Sequence, residues 1–98
     1  MYEILVGLQV TDDETYQDYR EAMLPILKAH GGGFGYDFRV SEVLINQSEN
    51  PINRVFTLNF PGEEASKKFF GNSAYLEVKE KYFNKSVGCT TIISRYEK

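Results

Sequence analysis

One junction constrains this chain more than any other, His30-Gly31-Gly32-Gly33. An amphipathic helical run ends there, three glycines follow, and an alternating strand pattern begins. Glycine populates the left-handed backbone region that closes helices, so the run marks a helix stop followed at once by a strand. It also places the only histidine of the sequence at the edge of that turn.

The flanking patterns build outward from this junction. Residues 2–10 alternate, with Tyr2, Ile4, Val6, Leu8 and Val10 on one face, which predicts a half-buried strand. Thr11-Asp12-Asp13-Glu14 has the Thr-x-x-Glu signature of a helix start, with Thr11 as N-cap. Over residues 14–30, Tyr16, Tyr19, Met23, Ile26, Leu27 and His30 share a broad face, and Pro25 predicts a kink. Residues 34–45 form a long strand-like segment with a bulge or bend. Its Phe34, Tyr36, Phe38 and Val40 lie on one face, with Asp37, Arg39 and Ser41 on the other. A polar turn at 46–51 leads to a third strand over 52–60. Helical segments at 63–70 and 73–84 are interrupted by Gly71-Asn72, and a last strand spans 88–96.

The order β-α-β-β-α-β is the ferredoxin-like split arrangement. It predicts an α+β fold, a four-stranded antiparallel sheet with helices on one face and the second helix split. Ninety-eight residues are expected to form one domain over 1–98. The uncovered sheet face would carry Leu5, Gly7, Gln9, Val55, Thr57 and Asn59, with Ile93 and Arg95 added from the last strand. That half-apolar set predicts a homodimer through the sheet face.

Composition excludes several functions. A net charge of −3 without a basic block argues against nucleic acid and anionic membrane as partners. One cysteine, Cys89, rules out an internal disulfide and multi-cysteine metal sites. No apolar run approaches the roughly 20 residues that span a bilayer. The N-terminus lacks the basic region of a signal peptide, so a cytoplasmic location is expected. The glycine run follows a helix and lacks a dinucleotide-binding spacing. No cofactor is expected from these residues. Seven Tyr and seven Phe are a rich aromatic supply, enough to line a pocket or interface as well as a core.

An ordered set of local features resembles one family across nearly the whole chain. It comprises Val10-Thr11-Asp12, Tyr16-x-x-Tyr19-Arg20, Pro25, His30-Gly31-Gly32, Leu58-Asn59-Phe60-Pro61 and Ser73-Ala74-Tyr75. The set is similar to the dimeric α/β-barrel superfamily, and within it to the group called domain of unknown function 1330. The resemblance implies two protomers pairing their sheets into a barrel, with a pocket between helices and sheet in each. Related families include cofactor-free monooxygenases, small-molecule isomerases and haem-degrading enzymes. The chain departs from the group in strand two, where Gly35-Tyr36-Asp37-Phe38-Arg39 stands in place of a short Arg-Gly-Gly segment.

Two functional readings stand. In the first, the protein handles a small apolar or aromatic molecule, as a cofactor-independent enzyme of monooxygenase- or isomerase-like acid–base type. His30 is then the catalytic proton carrier, and Tyr16, Tyr19, Arg39, Asn59 and Tyr75 are substrate-binding. Tyrosine hydroxyls and the planar donor fork of arginine suit the orientation of a polar substrate group. In the second, the protein is a non-enzymatic binding or assembly module, and His30 is only a helix-terminal residue favoured by the dipole. A haem ligand is a third role open to a lone histidine. A closed pocket containing His30 favours the first reading; His30 without an adjacent cavity favours the second.

Overall fold

A computed structural model describes all 98 residues. The elements are β1 (Tyr2–Val10), α1 (Asp13–Ala29), β2 (Gly33–Arg39), β3 (Arg54–Phe60), α2 (Glu63–Phe70), α3 (Ser73–Val78), a π-helical turn (Lys79–Phe83), α4 (Asn84–Ser86) and β4 (Val87–Glu97). The strands form one antiparallel sheet in the order β2-β3-β1-β4, the ferredoxin-like arrangement, with β2 and β4 at the edges.

Alternation decides the buried face. Tyr2, Ile4, Val6 and Leu8 of β1 sit opposite Phe60, Leu58, Phe56 and Arg54 of β3. The apolar members of this set are buried, together with Tyr16, Tyr19, Met23 and Leu27 of α1, Phe69 of α2 and Tyr75 of α3. A Leu or Met side chain buried this completely contributes about 1.5–3 kcal/mol. Ile26 and His30, on the expected apolar face of α1, are only half-buried.

Helix α1 starts one residue later than the Thr11 cap predicts. Asp12 is the N-cap: its carboxylate accepts from the Thr15 backbone N–H at 3.1 Å and from the Thr15 hydroxyl at 2.7 Å. A carboxylate one residue closer to the helix displaces the hydroxyl from this role. The helix runs through Pro25, whose position leaves the Glu21 carbonyl without its usual donor. Both residues are exposed, so water can serve that carbonyl.

The glycine junction closes α1 with a Schellman motif. Gly31 N–H donates to the Lys28 carbonyl at 3.0 Å, and Gly32 N–H to the Leu27 carbonyl at 2.9 Å. Gly31 has φ +75°, and a Cβ there would lie 2.8 Å from the Pro61 ring. A Cβ on Gly32 would lie 2.6 Å from Leu27 Cδ1, whereas one on Gly33 would meet open space.

Strand β2 is shorter than the sequence pattern suggests and ends at Arg39. The chain over 40–53 leaves the sheet, and Val43, Leu44 and Ile45 are 41, 84 and 91 % exposed. Asn53 holds the return, its side-chain amide exchanging two hydrogen bonds with the Val10 backbone. Within β2, Phe34 pairs with Leu58 but Asp37 pairs with Phe56, so Gly35 and Tyr36 oppose the single residue Thr57. This β-bulge corrects the expected strand parity. Phe34 faces the helices, while Tyr36 and Phe38 stack on each other at 5.8 Å, exposed on the far side.

A second bulge lies in β4. Leu5 pairs with Ser94 and Val6 with Ile92, leaving Ile93 as the extra residue. Thr90, Ile92 and Arg95 consequently oppose Leu8, Val6 and Ile4. Arg95 therefore belongs to the helix side, not to the open face where unbroken alternation puts it. On the open face Glu3 and Thr57 are nonetheless buried. Tyr96 hydroxyl donates to Glu3, and the Tyr36 N–H donates to Thr57 Oγ1.

The junction gives a direct stability test. Gly31→Ala forces an L-residue into the left-handed region and onto Pro61, and should cost about 1–3 kcal/mol. Gly33→Ala should change stability by less than about 0.5 kcal/mol. Urea unfolding of the two variants measures both, and equal losses would contradict the assignment of Gly31 as the helix-closing residue.

Candidate functional site

Between the helices and the sheet lies a cavity of about 360 Å³. This is at the lower end of the roughly 300–1,000 Å³ of small-molecule sites. Its floor is the apolar face of β1 and β3, and its roof is α1 with α3 and the π-helical turn. Among its walls, Thr90, Ile92 and Arg95 of edge strand β4 and Phe70 of α2 are exposed, so it opens at the β4 edge.

The polar groups are few and placed by helical spacing. Tyr16, Tyr19 and Met23 recur on the inner face of α1 at intervals of three and four. Asn72 caps α3, its side chain accepting from the Tyr75 N–H at 3.1 Å, and this sets Tyr75 over the sheet. The Tyr19 and Tyr75 hydroxyls share a buried hydrogen bond of 2.8 Å. One proton lies between the two oxygens, which leaves one hydroxyl proton and free lone pairs for a third partner. Burial raises the pKa of both phenols above the ordinary value, and that of Tyr16 also, despite the opposing charge of Arg20 beside Tyr16. All three keep their protons at neutral pH and act as hydrogen-bond donors or acceptors, not as bases.

At the β2 side Arg20 forms part of the wall. Its guanidinium lies 4.0 Å from the Phe34 ring centre and 4.9 Å from that of Phe56. Its Nε donates to the Tyr16 hydroxyl at 2.9 Å, and its Nη1 lies 3.2 Å from Asp37 Oδ2. Arg54 makes a bidentate pair with the same carboxylate, at 2.8 and 2.9 Å. Burial opposes ionisation of Asp37, but the Arg54 hydrogen bonds and the Arg20 charge outweigh it and hold the carboxyl below its usual range. Arg20 Nη2 is buried without a hydrogen-bond partner.

The structure brings Tyr16, Tyr19 and Tyr75 together in the cavity wall. His30, Arg39 and Asn59 are elsewhere. His30 caps α1, with its Nδ1 2.8 Å from the Ile26 carbonyl and its ring edge-on to Phe69 at 5.8 Å. It is not among the cavity residues. Arg39 is exposed at the end of β2, outside the cavity wall. Asn59 lies on the opposite sheet face, beside Thr57 and Glu3 around Gly35, and its Oδ1 is buried without a partner.

Three cationic wall residues were not singled out from the sequence as site residues. Arg20 had a usable signal, since it stands four residues after Tyr16 on one helix. Lys79 had the same signal, four residues after Tyr75 on one helix, whereas Arg95 had none, because a β-bulge brings it to the cavity. No group of acidic, histidine or cysteine side chains has an arrangement suited to a metal ion.

The family model described as "Domain of unknown function (DUF1330)" matches residues 2–96. The chain belongs to this family. Solved structures agree at the level of the fold. A protein of unknown function from Rhodopseudomonas palustris superposes with a TM-score of 0.83 at 18 % identity, covering 99 % of this chain and 81 % of that one. A putative antibiotic biosynthesis monooxygenase from Nitrosomonas europaea gives a TM-score of 0.60 at 14 % identity, covering 100 % and 98 %. A search of curated proteins returned no match. The DUF1330 chain thus shares the α+β ferredoxin-like architecture of antibiotic biosynthesis monooxygenase-type folds. No helix in it is long and apolar enough to cross a membrane.

Proposed function

We propose that this DUF1330 protein binds a small, largely apolar or aromatic molecule in the helix–sheet cavity. The observation that carries the reading is the Tyr19–Tyr75 hydroxyl pair, held inside a cavity walled by aromatic and aliphatic side chains. Such a site combines apolar area for affinity with a few placed polar groups for orientation. Its tyrosines suit donation to a ligand oxygen, including one that gains charge in a reaction. No carboxylate or histidine lines the cavity, so acid–base catalysis through His30 is not what this geometry favours. Ligand binding is therefore the primary reading, and the monooxygenase-type fold of the Nitrosomonas neighbour is the support for a catalytic variant of it.

The homodimer belongs to the same proposal. Tyr36, Phe38 and Ile93 are 59, 56 and 47 % exposed, and the first two stack on the far side of β2. A second copy, face to face, would cover such a surface. A cytoplasmic setting is also proposed, supported by the lone half-buried Cys89.

Two measurements bear on these readings. Titration with neutral 2-naphthol should give saturable methyl NMR shifts at Met23 and Ile92, with Kd of about 1 mM or tighter. No saturable shift, or shifts confined to the open face, would refute a cavity ligand. Light scattering at micromolar concentration should give twice the 11.3 kDa chain mass, and a monomer mass would refute the dimer.

A further inference from the structure

The charge lining the cavity runs against that of the chain. The protein has 14 acidic residues against 11 basic ones, yet the cavity wall includes Arg20, Lys79 and Arg95 and not one acidic side chain. Arg20 is only partly neutralised. Its partner Asp37 is shared with Arg54, so the group of three keeps one positive charge. Lys79 and Arg95 take part in none of the ion pairs of the molecule.

One backbone irregularity and one regular helical step create this pattern. The β4 bulge turns Arg95 to the helix side opposite Ile4, at the open edge of the sheet. The π-helical turn begins at Lys79 and ends at Phe83, and both residues line the cavity. Bulges of this kind re-aim side chains, and bulges and π-turns both concentrate at functional sites. Here the bulge brings Arg95, and the helical step of four residues from Tyr75 brings Lys79, to the wall of one cavity.

We infer that the cavity takes an organic monoanion, a flat apolar body carrying one carboxylate. The inference rests on the cavity reading above and adds the charge of the ligand. The body fills the aromatic interior beneath the Tyr19–Tyr75 pair, and the carboxylate stays at the β4 edge between Arg95 and Lys79. Arginine offers a planar fork that matches a carboxylate, and lysine adds a point charge on a flexible stem. The exposed position of Arg95 spares both ions complete desolvation, the condition under which ion pairing turns costly.

The test compares 2-naphthoate with the neutral 2-naphthalenemethanol by calorimetry at low salt. The anion should bind about tenfold tighter, the difference expected of a charge-assisted over a neutral hydrogen bond. The preference should shrink with added salt. It should vanish in Lys79→Met/Arg95→Met, while that variant still binds the alcohol. Equal affinity for the two compounds overturns the anion inference and leaves the cavity reading intact. A preference that persists in the double variant also overturns it. Binding of neither compound overturns both.

Discussion

One carboxylate serving two guanidiniums holds the β2 side of this structure together. Asp37 accepts from Arg54 of β3 and pairs with Arg20 of α1, and so ties the first helix to the sheet beneath it. The side chains of Arg20 and Arg54 are only 12 and 14 % exposed. Left unpaired at that depth, a charge costs several kcal/mol. Arg20 in turn orients the Tyr16 hydroxyl and stacks on Phe34, so one wall of the cavity depends on a residue outside it.

Single-residue departures from regular period place two of the charges around the site, Asp37 and Arg95. The β2 bulge at Gly35 and Tyr36 turns Asp37 toward the helices, and the β4 bulge at Ile93 does the same for Arg95. Lys79, by contrast, arrives by regular helical spacing, four residues after Tyr75. A one-residue change in a strand exchanges its two faces, so each insertion decides whether a charged side chain meets the cavity or water. The apolar floor, built on the regular strands β1 and β3, keeps strict alternation.

This division explains what the sequence discloses. The element order, the apolar faces of β1 and α1, the helix-closing role of the glycine run and the break at Gly71-Asn72 all follow from periodicity and local propensity. Tyr16, Tyr19 and Tyr75 are legible for the same reason, because they sit on regular helical faces. The end of β2 is not, since Val43, Leu44 and Ile45 keep a strand-like composition while lying outside the sheet. The faces of Asp37 and Arg95 are not legible either. A bulge depends on pairing with a neighbouring strand, and no property of the strand's own sequence announces its position. His30 attracts notice through its side-chain chemistry, yet its ring is committed to the Ile26 carbonyl and the Phe69 edge.

The central claim is that Asp37 is an ionised bridge between α1 and the sheet. Its most direct test is a carbon-13 NMR titration of the Asp37 side-chain carboxyl. In the native protein the midpoint should fall below the ordinary 3.8, and Arg54→Met should raise it. Because the folded pKa is the lower one, the stability from this bridge is complete above the unfolded value and is lost as pH falls through the folded one. A midpoint at or above 3.8 in the native protein, unmoved by Arg54→Met, would contradict the account.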